Sequence, residues 1–201
     1  MNVIEELTEI FRRFPGIGPR QAERFVYHLL RQPKANLSRL SSLIPSLADN
    51  VRNCNECKRF FISEHANLNC KICLDKNRDR KRLMIVARDS DFTSVEKSNN
   101  FDGVYFILGG LIPILEKDHQ KFIRAKELKD GLKNRIEKDS LEEIILALNA
   151  NPDGENTEKF LKQDLSDLDI KISVLGRGLS TGTELEYSDS ETIRNALENR
   201  K

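Results

Sequence analysis

The sequence predicts an α+β chain of several domains, with a helical module first, a cysteine-bearing segment next and an α/β layer after it. Three observations support this prediction. Apolar residues recur at helical spacing over the first fifty residues, all four cysteines fall within residues 54–73, and short apolar strand patterns alternate with helical patterns from residue 83 onward. With 201 residues, 38% hydrophobic and 32% charged, the chain can bury cores of useful size.

Amphipathic helices account for the first fifty residues. Between residues 3 and 14 the apolar positions repeat every three or four residues, and the Pro-Gly pair that follows ends this helix. A second helix is expected from near Pro19 to about Arg31, since proline suits a first helical position. A third helical stretch covers 37–47, in which Pro45 predicts a turn or a helix entry.

The segment FPGIGPRQAER at 14–24 joins the first two helices. Gly16 and Gly18 permit backbone angles and close approaches that other residues resist, and the second helix presents its free N–H groups to the same space. Arg20 and Arg24 lie four apart on one helical face, where they can contact successive phosphates. The segment resembles the helix-hairpin-helix motif, which binds the DNA backbone without sequence preference. An ordinary interhelical turn with solvated arginines is the alternative, and the combined pattern favours DNA binding.

The cysteines form two C-x-x-C pairs, CNEC at 54–57 and CKIC at 70–73, and the chain has no other cysteine. Each pair can place two thiolates on one side of a tight turn, so both pairs together predict a tetrahedral four-sulfur site suited to zinc. Paired disulfides and an iron–sulfur cluster are disfavoured alternatives. Because sulfur fills every position, the zinc would be structural. The predicted ligands are Cys54, Cys57, Cys70 and Cys73.

Four strand patterns follow the cysteines. They are LMIVA at 83–87, GVYFIL at 103–108, EIILALN at 143–149 and IKISVL at 170–175, and helical patterns separate them. Because parallel neighbours need long crossovers, this alternation predicts an α/β layer with a mainly parallel sheet. Residues 189–200 predict a short terminal helix.

Charge is distributed unevenly along the chain, although the formal net charge is only +1. Residues 1–82 hold 16 Lys and Arg against 9 Asp and Glu, whereas residues 83–201 hold 17 against 23. The basic front half favours a polyanionic partner, with a solvated charged surface as the alternative. Tyr27 and His28, isolated on the second helix, are expected to pack rather than to contact DNA.

The sequence favours an intracellular protein. No apolar run approaches the roughly 20 residues needed to cross a bilayer, and the N-terminus carries acidic residues where a signal peptide carries basic ones. We therefore expect a cytoplasmic protein with no membrane partner.

The order of these parts resembles the RecR family of bacterial recombination mediators along nearly the whole chain. Besides the glycine turn and the cysteine pairs, three segments carry the resemblance: YFILGGLIP at 105–113, LALNANPDGENT at 146–157 and GRGLSTGTELEYSD at 176–189. The resemblance implies four parts. They are a helix-hairpin-helix DNA-binding module at 1–53, a C4-type zinc finger at 54–76, a Rossmann-like Toprim domain at 81–176 and a short C-terminal segment at 177–201.

The resemblance also implies a function in DNA repair and recombination. A RecR protein would bind single- and double-stranded DNA through backbone contacts as a ring-like homo-oligomer, either a dimer or a tetramer. It would act with RecO, and possibly RecF, to help load RecA onto single-stranded DNA at the nucleoid. Asp91 and Glu96 match the family pattern and are predicted partner-binding residues, whereas the DSD at 89–91 is expected to cap a helix or face a partner.

The Toprim resemblance raises an enzymatic alternative, a magnesium-dependent nuclease or primase-like enzyme. Active Toprim enzymes need a glutamate at the end of the first strand and a D-x-D after a later strand. Here Ala87 occupies the first position, where the RecR family also usually keeps glutamate, and NANPDGE follows the later strand without a D-x-D. We therefore expect a protein without catalytic activity.

Overall fold

The computed structural model divides the chain into two compact units, Met1–Val51 and Arg52–Lys201. It describes residues 1–63, 67–116, 118–176, 178–179, 182, 184–198 and 200. Part of the predicted C-terminal segment, including Arg177 and Ser180 within the GRGLSTG stretch, therefore lies outside the described residues.

The first unit consists of three helices: α1 (Val3–Arg12), α2 (Pro19–Leu30) and α3 (Lys34–Asn50). Asn2 and Glu5 form a capping box at the start of α1, in which the Glu5 N–H donates to Asn2 Oδ1 at 3.0 Å. Helices α1 and α2 pack against each other, and the Phe11 ring meets the Phe25 ring edge-on with centroids 5.8 Å apart. The first two helices lie where their apolar periodicity predicts them.

The third helix corrects one prediction. Pro45 lies inside α3 and marks neither a turn nor a helix entry. A proline in a helix removes one backbone hydrogen bond and crowds one carbonyl. In a helix of 17 residues the backbone hydrogen bonds before and after Pro45 are kept, so the helix continues past the proline.

The second unit begins with the cysteine-bearing segment. Strands β1 (Val51–Asn53), at the division between the units, and β2 (Phe60–Ile62) form a two-stranded sheet, and a short helix α4 (Lys71–Leu74) carries the last cysteine. The predicted α/β layer follows.

A four-stranded parallel sheet lies at the centre of the second unit, as predicted. Its strands are β3 (Asp79–Val86), β4 (Gly103–Ile107), β5 (Glu143–Ala147) and β6 (Lys171–Val174), in the order β4-β3-β5-β6. Every neighbouring pair is parallel, and β3 is flanked on both sides, with Ile85 opposite Phe106 and Leu146. Strand β3 begins four residues earlier than its apolar pattern predicts, because its polar first half is also strand.

Helices cover both faces of this sheet. They are α5 (Asp89–Ser98), α6 (Ala125–Asp139) and α7 (Pro152–Asp164), and a terminal helix α8 (Ser190–Glu198) follows. Alternate residues of β3 point to opposite faces: Ile85 packs in a core with α6 and α7, whereas Met84 packs with Phe92 of α5. None of the described helices combines the length and apolar character that crossing a membrane requires.

Candidate nucleic-acid interface and metal centre

The turn between α1 and α2 accounts for the first glycine of the PGIGP stretch. The Ile17 N–H donates to the Phe14 carbonyl at 3.1 Å, and Pro15 and Gly16 occupy the two central positions. Gly16 has φ +75°, a left-handed conformation that this class of turn requires at its third residue. Gly16 is therefore explained by the backbone alone.

Gly18 has no such explanation. It is the N-cap of α2 with φ −83° and ψ 171°, an extended conformation open to any residue. A Cβ at this position would meet no heavy atom within 4 Å, and no side chain caps the helix. Since Pro19 has no N–H, the free N–H groups of this first turn belong to Arg20 and Gln21, and the missing Gly18 side chain leaves the space beside Gly18 open. An anion that approached there would meet these N–H groups and the positive end of the helix dipole.

Two arginines extend this site along α2. Arg20 and Arg24 are exposed and lie one turn apart on the same helical face, where side chains are about 5–6 Å apart. Among the residues that the structure describes, neither guanidinium forms an ion pair or a hydrogen bond. The structure thus brings Gly16, Gly18, Arg20 and Arg24 into one continuous segment whose positive charge is not neutralised internally.

The expectation that Tyr27 packs is wrong. Its side chain is 47% exposed, and within the described part of the chain its ring contacts no other aromatic ring. His28 is also exposed, and its Nε2 lies 3.0 Å from Gln32 Nε2. Helical spacing alone could have shown this, because Tyr27 falls on the face of Arg20 and Arg24 and away from the buried Ala22 and Val26.

The four cysteines converge at one place in the second unit. Their sulfur atoms all lie within 4.8 Å of one another, and the side chains are buried as free thiols. The sulfurs of Cys57 and Cys70 are 3.6 Å apart, close to the ~3.8 Å expected between two ligands of a tetrahedral site with metal–sulfur bonds of about 2.3 Å. The donor set and spacing fit a metal ion held by four sulfurs.

Local backbone geometry shapes each cysteine pair. Lys58 takes a left-handed φ of +62°, which closes the first turn, and its N–H donates to the Cys54 carbonyl at 2.9 Å. The Cys70 N–H donates to Cys54 Sγ at 3.3 Å. Hydrogen bonding to Cys54 raises the pKa of the Cys70 thiol, but hydrogen bonds with Cys57 and Cys73 outweigh it and lower that pKa to about 6. Hydrogen bonds within the cluster raise the pKa values of Cys57 and Cys73, so the four thiols share protons that a bound cation would displace.

Main-chain hydrogen bonds attach the cysteine segment to the parallel sheet. The Ile107 N–H at the end of β4 donates to the Cys57 carbonyl at 2.8 Å, and the Phe60 N–H donates to Asp89 Oδ1 at 2.8 Å. The Arg59 guanidinium lies 4.2 Å from the centre of the Phe92 ring. The segment is therefore part of the packing of the second unit, which is why metal loss there would affect the sheet edge.

A partly buried charge cluster that the sequence did not reveal joins the same segment to α6. Arg135 is 7% exposed, and its Nη2 lies 3.6 Å from Glu56 Oε2. Arg80 approaches the same Glu56 at 3.8 Å and Asp139 at 3.5 Å, and its Nη2 donates to the Cys73 carbonyl at 2.6 Å. No local pattern connects these positions, because the fold alone brings them together.

Comparison with known proteins agrees with this architecture. Models of the RecR helix-hairpin-helix, the Toprim domain and the RecR C-terminal region match residues 4–47, 81–176 and 178–201. The recombination protein RecR of Phytoplasma mali is 38% identical in an alignment 203 residues long, which covers 98% of this chain and 93% of that protein. The chain belongs to the RecR family.

Two further relatives show the same coverage. The recombination protein RecR of Legionella pneumophila is 33% identical over 200 residues, 100% of this chain and 96% of that protein. The recombination protein RecR of Herpetosiphon aurantiacus is 33% identical over 198 residues, which cover 98% of this chain and 93% of that protein. These matches confirm the predicted fold class: a helix-hairpin-helix module, a Toprim domain with a parallel sheet and a C-terminal RecR segment, together with the four-cysteine cluster.

In the Toprim domain, the structure describes the two positions at which active Toprim enzymes carry acidic residues. Ala87, at the end of β3, is fully buried, and its carbonyl accepts from the Gly109 N–H at 3.0 Å. After β5, Asn151 caps α7 by accepting from the Gly154 N–H, and Asp153 Oδ1 accepts from the Ile114 N–H at 3.3 Å. A methyl group thus occupies the strand-end position, and the carboxylate of Asp153, in the first turn of α7, accepts from a backbone amide.

The two acidic residues that match the RecR pattern have internal partners. Asp91 Oδ2 accepts from the Arg88 N–H at 2.9 Å and so caps α5, which confirms the capping role expected for the DSD segment. Glu96 Oε2 accepts from the Tyr105 hydroxyl at 2.8 Å, and Oε1 pairs with Arg78. Both Glu96 oxygens are thus used within the protein. A partner-binding role for Asp91 and Glu96 stays a prediction.

Proposed function

We propose that this RecR family member acts in DNA repair and recombination as a ring-like clamp. It would bind the DNA backbone without sequence preference and act with RecO, and possibly RecF, to help load RecA onto single-stranded DNA. Its site of action would then be the nucleoid in the cytoplasm. The names of its relatives as recombination proteins support the process, and the first unit supports the contact with DNA.

The observation that carries the DNA proposal is the unused binding capacity at the start of α2. A side chain at Gly18 would meet open space, no side chain caps the first turn of α2, and Arg20 and Arg24 are exposed without internal partners in the described chain. Uncapped N–H groups and guanidinium groups both bind phosphate oxygens. We therefore assign Gly16 to shaping the turn, and Gly18, Arg20 and Arg24 to contacting the backbone.

An oligomeric ring is supported by the exposed apolar surface of the first unit. Helix α3 has no buried residue, and its large apolar side chains Leu40, Leu43, Ile44 and Leu47 are 44–62% exposed. These four positions recur at helical spacing, so they form one apolar stripe. A second copy of the chain could cover it, as a dimer or tetramer requires.

For the metal centre we propose structural zinc bound by Cys54, Cys57, Cys70 and Cys73. Four buried thiolates match the preference of zinc for tetrahedral sulfur coordination, and they leave no position for a water ligand. The ion would stabilise the segment at 54–76 and supply no chemistry. The buried methyl of Ala87 likewise supports a protein that binds DNA without cutting it, which a nicking assay on supercoiled DNA with magnesium would check.

The salt dependence of DNA binding tests this proposal. Each phosphate contact contributes about 0.9 to the slope of log K against log salt for duplex DNA and about 0.7 for single strands. Replacing Arg20 and Arg24 together by alanine should lower the affinity for DNA. The slope should fall by about 1.8 for duplex DNA and by about 1.4 for single-stranded DNA.

The matched control is the double variant Lys162→Ala with Lys171→Ala. It removes the same charge from two exposed side chains of the second unit, which pair with Glu158 and Glu143. An unchanged slope in the arginine variant, or an equal reduction in the control, would contradict the assignment of DNA contacts to α2. Solution mass with and without DNA tests the ring.

A further inference from the structure

Helix α2 has two faces of opposite character. At about 100° per residue, Arg20, Arg24 and Tyr27 fall within roughly 60° of one another, and Arg31 at the C-cap falls in the same sector. The buried Ala22 lies on the other side of the helix. One face therefore contributes to the core of the first unit, and the other presents three guanidinium groups with an aromatic ring among them.

Tyr27 is out of place on a purely solvated face. Its side chain is 47% exposed and its ring contacts no other described aromatic ring, whereas the Phe11 ring contacts those of Phe14 and Phe25 at centroid distances of 5.7 and 5.8 Å. Within the described part of the chain, the Tyr27 hydroxyl forms no hydrogen bond, and no cation lies over its ring. No ring contact or side-chain hydrogen bond in the described part of the chain therefore explains a large aromatic residue at this position.

The neighbours of Tyr27 indicate what its ring meets. Arg24 lies three residues before it and Arg31 four residues after it, so both guanidinium groups are adjacent on the helix surface. Glu23, four residues before Tyr27, also borders this face; it is the sole acidic residue of α2, so the face remains net basic. Proteins that bind single-stranded nucleic acid combine basic side chains with an aromatic ring. The basic side chains bind the phosphates, while an unpaired base stacks on the ring.

We infer that Tyr27 is a base-stacking platform for single-stranded DNA held along the basic face of α2. The inference rests on the proposed DNA binding and adds a strand preference to it. In a duplex, the base faces are already covered by neighbouring bases, so the ring gains nothing there. In a single strand, each base offers a free face, and stacking tolerates any sequence.

Three variants of Tyr27 test the inference. Tyr27→Leu keeps an exposed apolar side chain but removes the ring, and it should weaken binding to an oligo(dT) strand by about 5- to 150-fold. Binding to a duplex and the salt slope for the single strand should stay as in the original protein, because no phosphate contact is lost. Tyr27→Phe should bind the strand like the original protein. Thr8→Ala, a partly exposed position of α1, is the control.

Tyr27→Trp adds a direct reading, since the chain contains no tryptophan. Stacking on a base should quench its fluorescence with oligo(dT) and not with duplex. An equal loss of affinity for oligo(dT) and for duplex DNA in Tyr27→Leu would mean that Tyr27 supports the fold. A change in the solution mass of that variant would place Tyr27 at an interface between copies. Either result would overturn the inference. Unchanged single-strand affinity without quenching would also overturn it, while leaving the DNA proposal intact. Failure of the original protein to bind either DNA in dilute buffer would overturn both.

Discussion

The ion pair between Glu96 and Arg78 provides a sharp test of how the second unit is stabilised. Arg78 donates to Glu96 and also to the carbonyl oxygens of Phe101 and Gly103, while the Tyr105 hydroxyl donates to the other Glu96 oxygen. Replacing Glu96 by alanine leaves the Arg78 guanidinium and the Tyr105 hydroxyl without this partner. We expect the free energy of unfolding of the second unit to fall.

The size of the effect follows from the burial of the pair. Breaking a fully buried ion pair costs about 3–5 kcal/mol. Here the Arg78 side chain is 13% exposed and the Glu96 side chain is 26% exposed, so solvent screens part of the interaction. We expect a loss of about 2–3 kcal/mol, which corresponds to a midpoint lowered by about 4–12 °C for a unit of this size.

Urea unfolding followed by circular dichroism measures this loss. Tyr105→Phe should cost less, because it removes one hydrogen bond to a charged group, and the double variant should cost less than the sum of the two single changes. Glu137→Ala, an exposed glutamate on α6 for which no partner is found in the described chain, is the matched control. If Glu96→Ala changed stability by no more than the ~0.5 kcal/mol expected of such a surface change, the reasoning would be refuted.

Three further outcomes are expected. Chelation, or Cys57→Ser, should release bound metal and increase amide exchange over 54–73, because the binding free energy of such a site is folding free energy; a metal-free protein of full stability would contradict this. Gly16→Ala should destabilise the first unit by about 1–2 kcal/mol at its positive φ, whereas Gly18→Ala should cost less stability but weaken DNA binding, and the reverse ranking would be inconsistent with the open N-cap. Hydrogen bonds from Lys171 and Ser173 hold the pKa of Glu143 below its usual range, so its stabilising contribution is present above about pH 4.3 and lost as the pH falls further; acid unfolding of Glu143→Gln should lack that part of the pH dependence.

Features that depend on neighbours along the chain could be predicted from the residues alone. The spacing of two cysteine pairs predicts a four-sulfur cluster, because each pair is a local turn that fixes two sulfurs together. The apolar runs predict four parallel strands, and the proline and glycine of the turn predict where α1 ends. Such features need only local backbone preferences and the periodicity of helix or strand.

Contacts between side chains that are distant in sequence are seen only in the folded structure. Arg135 reaches Glu56 across the second unit, and Glu96 joins Tyr105 and Arg78, because packing of helices against the sheet brings these charges together and burial makes their pairing necessary. A side chain's environment depends on everything folded around it, and no local pattern contains that information.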